Sequence, residues 1–180
     1  MLGKRLFVAI DLPESVRQSL VRLNPGIRGA RWLPAEQMHL TLSFLGPVDA
    51  SKEEKFQAKL SAIRWSAFFL PVTRLGTFPA KGRPNIIWIG VGAGHPHLFQ
   101  LHKRVQEAAL AAGLEPELRP WHPHVSLARC REVSGESVRP FLKAHADFDA
   151  GMIHVESFCL NSSVLTPAGS VYTPELVVKA

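Results

Sequence analysis

The sequence predicts an α+β fold made of two pseudo-symmetric lobes, each an antiparallel sheet with flanking helices, around a central cleft. An order of strand, helix, histidine-bearing strand and helix occurs once in each half of the 180 residues. The two histidine-bearing strands carry tetrapeptides of one grammar, His39-Leu40-Thr41-Leu42 and His124-Val125-Ser126-Leu127. A hydrophobic content of 46% supports a substantial core, so residues 1–180 are expected to form a single bilobal domain with one motif per half.

The elements follow in order. Leu6 to Ile10 reads as a strand, after which Asp11 and Pro13 open a helix with Val16, Leu20 and Leu23 on one face, ended by Asn24-Pro25-Gly26. Met38 to Phe44 is a strand closed by Gly46-Pro47, and Ser51 with Glu54 forms a capping box for a helix presenting Phe56, Leu60 and Ile63. Phe68 to Val72 and Leu75 to Phe78 read as strands, and Pro79 to Pro84 as a basic loop with Lys81 and Arg83.

The second half repeats the plan. Ile86 to Val91 is a strand, and His97 to Ala112 a helix with Leu101, Val105, Ala108 and Ala112 inward, stopped by Gly113. Val125 to Ala128 is a strand, and a helix is expected over Ser137 to His145, which puts Pro140 in its first turn. Ile153 to Leu160 and Val171 to Val178 complete the sheets.

Composition narrows the partners. Lysine and arginine outnumber aspartate and glutamate 21 to 15, a formal net charge of +6 that favours polyanions without identifying one. Cys130 and Cys159 have neither metal-type spacing nor the makings of a disulfide framework, which suits a reducing compartment. The N-terminal apolar run is interrupted by Asp11, and no stretch approaches the roughly 20 apolar residues of a membrane span. A cytoplasmic protein with no membrane association is expected.

In each tetrapeptide a strand period of two puts histidine and hydroxyl on one face, and buries Leu40 and Leu42, or Val125 and Leu127, on the other. Two imidazoles can divide acid–base work near neutrality, one taking a proton from attacking water and the other giving one to the leaving oxygen. Thr41 and Ser126 can hydrogen-bond phosphate oxygens where charge accumulates. A histidine in an alternating strand ordinarily serves packing, but matching histidines in a duplicated topology favour chemistry. No carboxylate or cysteine joins His95, His97 and His102, or His122 and His124, in a recognisable metal set, so no metal is expected.

With these motifs the sequence resembles the two-histidine phosphoesterase superfamily, specifically the RNA 2′,3′-cyclic phosphodiesterases historically called 2′-5′ RNA ligases. The resemblance covers nearly the whole chain. It includes Arg5 to Ile10, Arg31-Trp32-Leu33-Pro34, His39 to Gly46, Phe78-Pro79, Ile87 to Gly90, Pro123 to Arg129, and Ser163, Gly169 and Tyr172. It implies that His39 is the proton donor and His124 the proton acceptor in opening a cyclic phosphate to a 2′-phosphomonoester, with no cofactor. Joining of tRNA half-molecules, the reverse reaction, and non-catalytic binding of RNA ends are the alternatives. The implied partners are RNA with 2′,3′-cyclic phosphate ends, including tRNA fragments, and small cyclic nucleotides, handled by a monomer.

Two departures stand out from the family pattern: Ser126 where threonine is usual, and Ser43 where arginine is frequent. By alternation Ser43 shares the face of His39 and Thr41, leaving a phosphate-facing cation missing. Arg129 matches a recurrent family arginine and can supply it only if the strand ends or bulges. Tyr172, at a family position, and Trp121, just before the second motif, are the candidates for stacking on a nucleobase. Lys81, Arg83, Arg31, Arg119 and Arg131 lie in loops or at strand ends, where guiding RNA and ordinary solvated charge are equally good readings.

Overall fold

The computed structural model describes residues 3–92, 94–115, 117 and 119–180. Strand β1 (Lys4–Asp11) leads into helix α1 (Glu14–Arg22), strand β2 (Ala30–Trp32), a 3₁₀ turn at Ala35–Gln37, strand β3 (His39–Val48) and helix α2 (Ala50–Ser61). Then come β4 (Phe68–Phe78), β5 (Ile86–Val91), α3 (Pro96–Ala111), β6 (His124–Cys130), α4 (Gly135–Ala144), β7 (Asp149–Val155), β8 (Ser157–Thr166) and β9 (Gly169–Lys179).

The strands lie in the order β7-β4-β5-β6-β3-β1-β8-β9, with β2 also paired to β6, and every registered pairing is antiparallel. The order splits into two four-stranded halves related by the repeat. β1-α1-β3 in one lobe answers to β5-α3-β6 in the other, and the halves meet where Leu40 on β3 registers with Val125 on β6. Beyond that point β6 is flanked instead by β2, Trp32 opposite Ala128 and Arg31 opposite Arg129. The expected α+β bilobal arrangement is therefore present, its two half-sheets joined at the two motifs.

Helices α2 and α3 cover the seam from one side. Phe56, Leu60, Leu98, Leu101 and Val105 are essentially inaccessible, and they join Leu40, Leu42, Val125 and Leu127 in one apolar cluster. Burial of side chains this size contributes roughly 1.5–3 kcal/mol each, so the motif strands are held rigidly from behind. A smaller cluster of Ile87, Ala128, Val133, Val138 and Phe141 seats α4.

Several boundaries differ from expectation. Asp49, not Ser51, caps α2, its carboxylate accepting from the Lys52 amide at 3.0 Å. The acidic oxygen is the better acceptor, and the helix starts earlier. Ser134 caps α4, so Pro140 stands inside the helix rather than in its first turn. Pro140 is exposed, and its missing N–H costs less there than in a packed segment. The run 153–160 is two strands: at Glu156 the chain leaves β7, paired to β4, and enters β8, paired to β1 in the other lobe. Gly46-Pro47 does not close β3, which slips register at Leu45 and runs on to Val48. The 68–72 and 75–78 runs are one bulged strand, with Arg74 at φ 67°. β2, too short to show a period, was not anticipated.

Candidate active site

The motif strands alternate as their sequences require. His39, Thr41, His124 and Ser126 are half-buried on one face, and Leu40, Leu42, Val125 and Leu127 are buried on the other. Because Leu40 pairs with Val125 antiparallel, one step either way sets Thr41 beside His124 and Ser126 beside His39. Each imidazole thus neighbours the hydroxyl of the other motif.

His39 opens β3 directly opposite Asp11 at the end of β1. Its ring stacks on Phe7 at 5.0 Å between centroids and meets the edge of Tyr172 at 5.3 Å. Burial is the largest influence on its titration and pulls its pKa from 6.5 down to about 4, against the Asp11 charge and the Gln37 carbonyl, which favour the cation; His124 lowers it further. The register sets the two imidazoles diagonally across the β3–β6 pair on one face.

His124 Nδ1 lies 2.7 Å from the carbonyl oxygen of His122. A carbonyl only accepts, so Nδ1 carries hydrogen and, in the neutral ring, Nε2 holds the free lone pair. Burial is again the largest influence and lowers the pKa, opposed by that hydrogen bond, with a smaller downward contribution from His122. In the first motif the Gln37 carbonyl, also two residues before the histidine, favours the His39 cation.

A β-bulge follows each histidine at the same step. Val8 registers with Ser43 and Ala9 with Thr41, leaving Leu42 as the extra residue; Ile87 registers with Ala128 and Trp88 with Ser126, leaving Leu127. The first bulge overturns the expected alternation at Ser43. This side chain does not continue the His39–Thr41 row but is buried, 3.4 Å from Gln106 Oε1 on α3, while Phe44 is exposed. The second returns Arg129 to the histidine side, where it lines a cleft of about 730 Å³ with His39, Phe44 and Tyr172.

A smaller recess of about 230 Å³ holds His124, Thr41, Trp121 and Phe78, and shares Phe44, Glu117 and Arg119 with the larger cleft. Ser126 lies in the same row as His124, opposite Trp88, but lines neither cavity. Trp121 is fixed rather than free: its indole N–H donates to the Thr41 carbonyl at 3.1 Å, and one face is stacked on His102 at 4.0 Å. Tyr172 stands edge-on to Phe7 as well as His39. Phe7, which seats His39, reads in the sequence as an ordinary strand residue.

Among the described residues no three histidine, cysteine, aspartate or glutamate side chains gather where an ion could be held, and no helix is long and apolar enough to cross a membrane. What the arrangement can do is proton transfer: a neutral imidazole with an outward Nε2, a second imidazole nearby, hydroxyls between them and a guanidinium at the rim.

A duplicated sheet with one such histidine strand per lobe is the architecture of a phosphoesterase. The chain belongs to the LigT-like phosphoesterase family, whose model matches it twice, over residues 10–88 and 89–172. The RNA 2′,3′-cyclic phosphodiesterase of Aeropyrum pernix is 33% identical over 146 residues, 81% of this chain and 83% of its own length. That of Escherichia coli is 34% identical over 130 residues, 70% of this chain and 72% of its own. The crystal structure of E. coli LigT complexed with 3′-AMP superposes with a TM-score of 0.78 at 28% identity, covering 98% of this chain and 97% of that one.

Proposed function

We propose that this chain is an RNA 2′,3′-cyclic phosphodiesterase that opens a cyclic phosphate to a 2′-phosphomonoester by general acid–base catalysis between His39 and His124. The observation that carries this reading is the placing of His39 and His124 on one face of strands that meet at Leu40 and Val125, with His124 Nδ1 held by the His122 carbonyl so that Nε2 is free to take a proton. Family membership and relatives bearing that activity support it.

In the reaction His124 Nε2 takes a proton from water as the water oxygen bonds to phosphorus. The bond from phosphorus to O3′ breaks, and His39 gives its proton to O3′. His39 is neutral in the free protein near pH 7, given its pKa of about 4, so the bound anion must raise its pKa and the ring takes up a proton from solvent before it donates one. Thr41 and Ser126 donate to the non-bridging oxygens, and Arg129 offsets the phosphate charge. Tyr172 and Trp121 form aromatic walls for a nucleobase.

One chain carries both histidines, so a monomer over residues 1–180 suffices, and no step calls for a cofactor. RNA ends, tRNA fragments among them, and small cyclic nucleotides are the substrates. The unpaired thiols of Cys130 and Cys159 suit a cytoplasmic setting.

The test is an oligonucleotide ending in a 2′,3′-cyclic phosphate, incubated with the protein and EDTA, with product ends resolved. Wild type should yield the 2′-phosphate. His39→Asn and His124→Asn should each lose roughly 10²–10⁴-fold in turnover. Binding without ring opening in wild type, or near-normal turnover in either variant, would overturn the reading.

A further inference from the structure

We infer that the basic groove leaving the cleft over β2 and the end of β6 is a track for the RNA backbone on the 5′ side of the terminal nucleotide. This deepens the proposed activity and rests on it.

A second concavity, of about 670 Å³, is lined by Gly29, Ala30, Arg31, Arg129, Cys130 and Arg131. It shares Arg129 with the cleft that holds His39, so the two are continuous at one guanidinium. Arg31 and Arg129 face each other directly in the β2–β6 ladder, which puts both side chains on one face of the sheet. All three arginines are exposed, and among the described residues none forms an ion pair with a carboxylate.

Like charges directly opposite on a ladder destabilise it. Three uncompensated cations lining one groove are a cost to the free protein that a polyanion would remove. At the groove Gly29 has φ +85°, and a Cβ there would stand 2.6 Å from the Arg131 carbonyl, so the position suits only glycine.

The chemistry of the substrate fixes the direction. A 2′,3′-cyclic phosphate consumes both the 2′ and 3′ oxygens of the last ribose, so the chain can continue only through its 5′ oxygen, and one strand must leave the cleft. Of the cleft's other walls, Glu115 opposes phosphates, Glu117 is ion-paired with Arg119, Arg5 is a single cation, and the β8–β9 hairpin contributes Ser163, Leu165 and Ser170 without charge. The β2–β6 side offers cations in succession. Of the basic residues that the sequence places in loops or at strand ends, Arg31 and Arg131 are the two that adjoin Arg129 in this groove.

The experiment measures kcat/KM on a 2′,3′-cyclic mononucleotide and on oligonucleotides of increasing length with the same end, for wild type, Arg31→Gln and Arg131→Gln. Wild type should gain with length. Each variant should lose about ten-fold on the oligonucleotides while keeping wild-type rates on the mononucleotide. The log–log salt slope on oligonucleotides should shrink by roughly 0.7 per arginine removed, as for one lost contact to a single strand. Wild type that opens the mononucleotide but gains nothing from added nucleotides overturns the track and leaves the activity standing, as do variants that lose equally on both substrates. Wild type that opens neither substrate overturns the activity and the track with it.

Discussion

Leu42 and Leu127 stand at the same step of the two motifs, and each is the unpaired residue of a β-bulge. The bulges keep both leucines in the core and reverse the alternation beyond them, so Phe44 and Arg129 emerge at equivalent places on the histidine side. One lobe thus gives the cleft an aromatic ring where the other gives it a guanidinium.

Arg129→Gln should therefore lower kcat/KM on a cyclic mononucleotide by roughly ten- to a hundred-fold, the scale of a hydrogen bond to a charged group. Phe44→Leu should spare the phosphate contact and change kcat/KM by less. Steady-state kinetics on both variants decides. An Arg129→Gln protein as active as wild type would remove the arginine from the phosphate site.

Trp121 ties the lobes through its bond to the Thr41 carbonyl, spanning from the approach to β6 to the middle of β3. Trp121→Phe keeps an aromatic ring against His102 but deletes the donor, at a cost of about 1 kcal/mol. If the bond orients Thr41 toward the reacting phosphate, kcat should fall several-fold with KM nearly unchanged. A pure stacking role would instead leave both parameters close to wild type.

How much of this was legible in the sequence depends on the range of the interaction. His39 and His124 were visible because a period-two strand and a duplicated motif are local patterns. The placing of Ser43 is not legible there, because a bulge arises from pairing with β1 and leaves no mark in the tetrapeptide. β2 escaped notice because three residues show no period, although it carries the arginine that faces Arg129. The break at Glu156 was hidden for the same reason as the bulges: the residues on either side are equally good strand formers, and only their partners in opposite lobes distinguish them.

Burial of His39 has a consequence for stability. Its folded pKa of about 4 lies below the ordinary 6.5, so on acidification the unfolded chain takes up a proton that the folded site refuses. Stability should fall as the pH drops through that window and level off below it, with His39 responsible for up to about 3 kcal/mol. His124, also lowered, adds in the same direction. Urea midpoints across the window should decline less steeply for His39→Asn than for wild type. Parallel profiles would mean that His39 titrates normally in the folded protein.

The same low pKa makes anion binding pH-dependent with a definite sign. A phosphodiester stays singly charged through the range in which imidazoles titrate, so a 2′,3′-cyclic mononucleotide bound to the His124→Asn variant, in which turnover is slowed by roughly 10²–10⁴-fold, reports on His39. Its negative charge beside the ring favours the imidazolium, and binding should draw in a proton. Affinity should rise as the pH is lowered from about 7 to about 5, because protonating the free site then costs less. Calorimetry in two buffers of different ionisation enthalpy would show the uptake directly. The variant lacking both histidines should bind with a flat pH profile. A flat profile with His39 present would mean that the ring stays neutral beside the phosphate, and it would lose its place as the proton donor.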